Sequence, residues 1–230
     1  YRRQRQMCIR DSTNTFGITE DLNHRNQKYM IEKFDSIKGF LDLNEGIALY
    51  EEVKRVSENN FCVEIGSYCG KSTCFIGQAC KENKSKLITI DHHKGSEEQQ
   101  LGELYFDAEV YDEKLGRVNT LPLLEKNLAK FDLEDVVKPL VMDSISASKI
   151  VENNADLIFI DGSHTFESAE SDYELWKNKI KKGGTLAIHD VYDSEDEGGQ
   201  APNKIFKQSL NEGFNFMKRV KSLVLLQKSN

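Results

Sequence analysis

Residues 61–70, FCVEIGSYCG, constrain this chain more than any other stretch. A short apolar run ends at Glu64-Ile65, a turn bounded by Gly66 and Gly70 follows, and Lys71-Ser72-Thr73 opens a helix-compatible segment. A buried strand that feeds a glycine turn and then a helix begins a nucleotide-type α/β site. Glycines let the backbone approach a ligand, and the helix start offers free N–H groups. Three ligand classes use such a turn. A phosphate-cradling P-loop needs G-x-x-x-x-G-K-[ST], and the stretch from Gly66 to Ser72 is one residue short of it. A dinucleotide fingerprint needs G-x-G-x-x-G, and Tyr68 stands where its second glycine belongs. The third pattern, E-x-G-x-x-x-G, is present from Glu64 to Gly70.

The rest of the chain supports a soluble α/β enzyme. Its 230 residues suit one domain with a full core. A net charge of −7 argues against nucleic acid or an anionic membrane as the main partner. No apolar run reaches the length of a membrane span, and no signal-peptide core is visible, so the expected location is cytoplasmic. The five cysteines contain no C-x-x-C pair and read as small buried residues in a reducing compartment.

Residues 1–12 (YRRQRQMCIRDS) hold four of the eight arginines and read as a non-native or disordered leader. Residues 13–60 read as a helical lead-in and 61–230 as a single domain. Leu43, Ile47, Tyr50, Val53 and Val56 recur at helical spacing, with Asn44 as the expected N-cap. After the strand 61–65 and a helix over 71–82, Leu87–Ile90 form a second strand that ends at Asp91. An acid about 20 residues beyond the glycine turn is positioned to accept hydrogen bonds from ribose hydroxyls. Residues 92–118 are charged and irregular, too long for a simple connector. Leu121, Leu124, Leu128 and Phe131 mark a helix, and Val136–Met142 a third strand. Asp143-Ser144 follow it, where adenine contacts fall in such a fold, and 144–153 read as a short helix.

A fourth strand, Asp156–Ile160, ends in Asp161-Gly162-Ser163-His164. Ala169, Tyr173, Trp176 and Ile180 mark the next helix, with Trp176 expected in the core and Gly183-Gly184 as the helix stop. Thr185–Ile188 form a fifth strand that ends in His189-Asp190. The acidic stretch 193–199 reads first as a solvated loop and second as a lid. A helix over 203–212 precedes two strands, 214–220 and 223–227, joined by a tight antiparallel turn. Alternation of this kind predicts an α/β fold: a Rossmann-like, seven-stranded, mostly parallel sheet with a C-terminal antiparallel hairpin and helices on both faces.

The acid–glycine turn, Asp91 and the closing hairpin together resemble the class I S-adenosylmethionine-dependent methyltransferases over residues 37–228. LIFIDGSHTFESAESDYELW (157–176), GGTLAIHDVY (183–192) and the lead-in IKGFLDLNEGIALYEEVKRV are similar to the family that includes cephalosporin-cluster and macrolide-sugar O-methyltransferases. The resemblance implies that Glu64, Gly66, Ser67, Gly70, Asp91, Asp143 and Ser144 bind S-adenosylmethionine. It implies His164 as the base that takes the acceptor's proton, and Asp161, His189 and Asp190 as ligands of Mg²⁺ or another divalent metal. His189 replaces an acid of the metal-binding relatives. Mg²⁺ prefers oxygen ligands, so the replacement favours a softer ion or none.

An alcohol becomes a nucleophile as its proton leaves, and histidine is matched to accept that proton near neutral pH. The expected reaction is therefore O-methylation of a hydroxyl on a sugar, glycan or other small molecule, with no nucleic-acid partner and no membrane span. A homo-oligomer is left open. Two alternatives remain at this point: a P-loop-like nucleotide hydrolase, with Asp161 as its magnesium acid, and a non-catalytic cofactor-fold partner subunit.

Overall fold

The computed structural model describes residue 29 and residues 31–103, 105–163 and 165–230. The leader expected over residues 1–12 lies outside the described residues. The strands are β1 (Phe61–Ile65), β2 (Lys86–Ile90), β3 (Tyr111–Asp112), β4 (Arg117–Val118), β5 (Val137–Leu140), β6 (Ala155–Ile160), β7 (Ile180–Ile188), β8 (Phe214–Val220) and β9 (Leu223–Lys228). The helices are α1 (Leu43–Val53), α2 (Lys71–Asn83), α3 (Leu121–Lys130), α4 (Ser144–Ser148), α5 (Phe166–Trp176) and α6 (Ala201–Asn211). Seven strands form one sheet in the order β5-β2-β1-β6-β7-β9-β8. The first five are parallel, and β9 runs antiparallel to both β7 and β8.

Helices cover both faces, so the central strands read as continuous apolar runs. All six residues of β6 are buried. Strand alternation divides them between two cores. Cys62, Leu157 and Phe159 face α1, α2 and α3, where Leu49, Phe75 and Leu124 pack. Val63, Ile65, Ile158 and Ile160 face α4, α5 and α6, where Ala147, Tyr173, Trp176 and Ile205 pack. Trp176 is fully buried, as its helical spacing predicts. Phe34, Ile37, Leu41 and Val53, from the lead-in, belong to the same core as β1. Cys62, Cys69, Cys74 and Cys80 are free and buried.

Several boundaries differ from the expectation. The N-cap of α1 is Asp42, not Asn44: the Asp42 side chain accepts from the Asn44 N–H at 2.8 Å, and Glu45 closes a reciprocal capping box. α4 stops at Ser148. Gly183-Gly184 do not stop a helix; α5 ends at Trp176 and the two glycines lie within β7. There the pairing slips, from Ala155 opposite Ile180 to Leu157 opposite Thr185, and glycine accommodates the bulge. The long stretch after β2 is ordered around a small ribbon, β3–β4, whose Val118 packs with Val110 against Cys69.

Connections leave β1 toward β2 on one side, and β6 pairs on its other side. The sheet order therefore reverses between β1 and β6, and the crevice beyond their carboxyl ends is where such folds bind ligands. Backbone bonds continue the ladder past the strands: Gly66 N–H to Ile90 C=O, Asp161 N–H to Ile65 C=O, and His189 N–H to Ile160 C=O, at 2.9, 2.9 and 3.1 Å. They set Gly66, Asp91, Asp161 and His189 in one row.

Candidate functional site

A cavity of about 1200 Å³ opens above that row. Its wall takes in Gly66, Ser67 and Tyr68 of the turn, Asp91 and His92 after β2, Asp143-Ser144-Ile145 after β5, Asp161-Gly162-Ser163 after β6, and Asp190 and Tyr192 after β7. Residues 38–41, parts of the stretch 94–105 and the loop 197–199 close its sides. The volume exceeds the range typical of a single small-ligand pocket, roughly 300–1,000 Å³.

The turn is built by Asp91. Its Oδ2 accepts the N–H groups of Ser67 and Tyr68 at 3.1 and 2.9 Å, and its Oδ1 accepts that of His93 at 2.7 Å. Three of the roughly four lone-pair positions of the carboxylate are so engaged, which leaves capacity for a ligand hydroxyl. Gly66 has φ +88°, and a Cβ there would stand 2.0 Å from the Asp161 carbonyl oxygen. Its lack of a side chain serves the convergence of β1 and β6. Gly70, at φ +91°, caps α2, and a Cβ would meet Leu124 at 2.7 Å. Gly70 is not part of the cavity wall; where it stands it packs against Leu124. The Ser67 hydroxyl is buried without a partner among the described residues. A buried polar atom left without a partner beside a cavity fits a ligand that supplies the hydrogen bond.

Glu64, expected at the cofactor, is placed beneath the turn. Alternation turns its side chain toward α2, beneath the turn, and it is fully buried away from the cavity wall. Its Oε2 accepts the hydroxyls of Thr73 and Thr89, each at 2.6 Å, while Oε1 has no partner among the described residues. Burial pushes its carboxyl up to about 7, against the pull of the hydroxyl bonds from Thr73 and Thr89.

Asp143 caps α4 through the Ser146 N–H at 2.8 Å, and hydrogen bonding to Ser146 holds its carboxyl below the usual range. The Ser144 hydroxyl donates to Asp172 of α5. Asp172, which the sequence did not single out, is 7% exposed and faces the cavity. Burial pushes its carboxyl up to about 6, and only the Ser144 bond opposes the shift.

Across the cavity stand Asp161 and Asp190, with the buried His189 behind them; the ligand atoms of the three lie within 4.8 Å of one another. His189 Nδ1 is 2.9 Å from Asp161 Oδ1 and 3.4 Å from Asp190 Oδ2. Its Nε2 is 3.0 Å from Glu45 Oε2. Burial alone would lower the ring's pKa; the charge of Asp161, with the bonds to Asp161, Asp190 and Glu45, holds it well above the usual value. Glu45 moves the opposite way: burial would raise it, and the bond to His189 keeps it low. Asp190 adopts φ +53°, a left-handed conformation that Asp tolerates, and accepts the Tyr192 hydroxyl at 2.9 Å. His164 lies outside the described residues.

Two carboxylates and an imidazole whose far nitrogen bonds a buried carboxylate fit a divalent ion, because metal-bound histidines carry such an outer partner. The donor set suits a borderline ion better than Mg²⁺. The Nδ1 proton that Asp161 stabilises would have to leave first.

A family model described as a methyltransferase domain matches residues 63–191. Among solved structures, the O-methyltransferase TomG from Streptomyces achromogenes, involved in tomaymycin synthesis and in complex with SAM, superposes with a TM-score of 0.59 at 13% identity. That alignment covers 86% of this chain and 86% of that chain. The SAH-bound methyltransferase PaMTH1 of Podospora anserina superposes with a TM-score of 0.61 at 13% identity, covering 98% of this chain and 100% of that chain. At such identities the likeness is one of fold.

Proposed function

We propose that this chain, which belongs to the family of S-adenosylmethionine-dependent methyltransferases, transfers the methyl group to a hydroxyl oxygen of a sugar or other small molecule. The observation that carries the reading is the row of strand ends. A turn organised by Asp91, with a Ser67 hydroxyl unpartnered among the described residues, stands on one side; Asp161 and Asp190 stand across the same cavity, with the buried His189 ring bonded behind them.

On this reading Gly66, Ser67 and Asp91 hold the cofactor's amino-acid and ribose portions, and Asp143 with Ser144 flanks its adenine. Asp161 and Asp190 face the acceptor. The hydroxyl oxygen attacks the methyl carbon, the C–S electrons return to sulfur, and S-adenosylhomocysteine leaves as a neutral thioether. The hydroxyl proton needs a base, and His164, three residues beyond Asp161, is the proposed one. A divalent ion held by Asp161, His189 and Asp190 would lower the pKa of the acceptor hydroxyl. The acids otherwise orient the hydroxyl by hydrogen bonds.

The nucleotide-hydrolase alternative has no support. Lys71, which a P-loop would aim at phosphates, is paired with Asp35 at 2.9 Å, and the family match is to a methyltransferase. The partner-subunit alternative has none either. No helix among the described residues is long and apolar enough to cross a membrane. Thermal shift with S-adenosylmethionine, S-adenosylhomocysteine, ATP and NAD tests the reading. A ligand at a hundred-fold excess over its dissociation constant stabilises the native state by about 2.7 kcal/mol. The two sulfur ligands should raise the melting temperature; a rise with ATP alone would overturn the assignment.

A further inference from the structure

The lead-in contributes one carboxylate to the acid–imidazole group, and its bonding exceeds what a helix start requires. Glu45 occupies the third position of α1, 2% exposed. Its Oε2 accepts the Asp42 N–H at 2.9 Å, which completes the capping box. The same oxygen stands 3.0 Å from His189 Nε2, 144 residues away. Its Oε1 accepts the Ser222 N–H, the Ser222 hydroxyl and the Leu223 N–H at 2.9, 2.8 and 3.1 Å. A cap uses only the first of these bonds. The others fix the β8–β9 turn and engage the far side of the His189 ring.

A histidine's two nitrogens are distinct, and the partner of one decides what the other presents. His189 is 4% exposed and Glu45 is the acceptor of Nε2 among the described residues, so losing that carboxylate would strand a buried donor. With Glu45 in place, Nδ1 is the nitrogen turned to Asp161 and Asp190. We propose that Glu45 is a positioning residue of the acceptor site: by accepting the Nε2–H of His189 it holds the ring with Nδ1 between Asp161 and Asp190. The consequence for catalysis rests on the reading of those two acids as the acceptor-facing groups; the ring geometry does not.

The test is ¹⁵N-histidine NMR of the full chain with S-adenosylhomocysteine bound, the His189 signals being assigned by their absence in His189→Gln. In the wild type, Nε2 should carry a proton with a downfield, slowly exchanging resonance. Glu45→Gln offers one acceptor oxygen where five donors now converge, so this resonance should be lost. Asp42→Ala breaks the cap bond to Asn44 and the pair with Lys221 but leaves the Glu45 carboxylate and the Asp42 N–H in place, so it should retain the resonance. Calorimetric affinity for S-adenosylhomocysteine should be unchanged in both variants. An identical His189 spectrum in Glu45→Gln and the wild type overturns the inference. So does a wild-type spectrum with Nε2 unprotonated, which needs no variant to fold. Failure of S-adenosylhomocysteine to bind the wild type would instead defeat the methyltransferase reading, and the His189 spectrum would still decide the role of Glu45.

Discussion

Replacing Glu64 with Gln should stabilise the ligand-free protein at neutral and alkaline pH. The carboxyl is fully buried, and its Oε1 has no partner among the described residues. Gln offers its carbonyl oxygen to Thr73 and Thr89 as Oε2 does now, and it removes the charge. Burial raises the folded-state pKa from 4.5 to about 7. The sign follows from linkage: a raised acid favours the protonated native state, so its contribution is full below pH 4.5 and lost as pH rises through about 7. At 1.36 kcal/mol per pKa unit, holding the charge above pH 7 costs about 3 kcal/mol. For a chain of this size that is roughly 6–12 °C in Tm. Melting curves of the wild type and Glu64→Gln at pH 4 and pH 8 measure it. The curves should coincide at pH 4 and separate at pH 8, with the variant higher. A variant less stable at pH 8, or a gap independent of pH, would refute the buried, ionisable carboxyl. Affinity for S-adenosylhomocysteine should be nearly unchanged, because Glu64 supports the turn from beneath; a marked loss would return the side chain to the cofactor.

Asp172→Asn should behave similarly over a lower window. Its carboxyl is raised from 3.8 to about 6, so stability is lost as pH rises through that range, and the variant should gain up to about 3 kcal/mol above pH 6 in urea titrations. No gain would mean that the cavity solvates the charge. His164→Ala should leave cofactor affinity intact and lower the methyl-transfer rate by about 10²- to 10⁴-fold if the residue is the general base. A wild-type rate in a single-turnover assay would move the proton to another route.

The fold was legible because the central strands are covered on both faces and so appear as apolar runs, with a glycine, an acid or His189 at or shortly beyond each carboxyl end. The row Gly66, Asp91, Asp161, His189-Asp190 could be read for the same reason: parallel strands place every such ending at one edge of the sheet. What escaped reading depends on direction or on distance along the chain. Glu64 at a strand's end looks the same whether it meets a ligand or lies beneath the turn. Only its shared face with Cys62 says that it points toward α2. Gly66 and Gly70 look alike as ligand-approach glycines, yet Gly66 is on the cavity wall and Gly70 packs against Leu124. Asp42 as the cap of α1 was available from the D-x-x-E spacing to Glu45, a capping-box signature that outranks Asn44. The Glu45–His189 and Ser144–Asp172 contacts join distant residues and leave no local pattern. The β3–β4 ribbon is too short to show a period.

The division of the cavity into a cofactor side at Asp91 and an acceptor side at Asp161 is tested most directly by calorimetry of S-adenosylhomocysteine with Asp91→Ala and Asp161→Ala. A hydrogen bond to a charged group contributes about 1.5–3 kcal/mol, so losing Asp91 should weaken binding by roughly ten- to a hundred-fold. Asp161→Ala should bind as the wild type does. Full affinity in Asp91→Ala together with a loss of that size in Asp161→Ala would contradict the account.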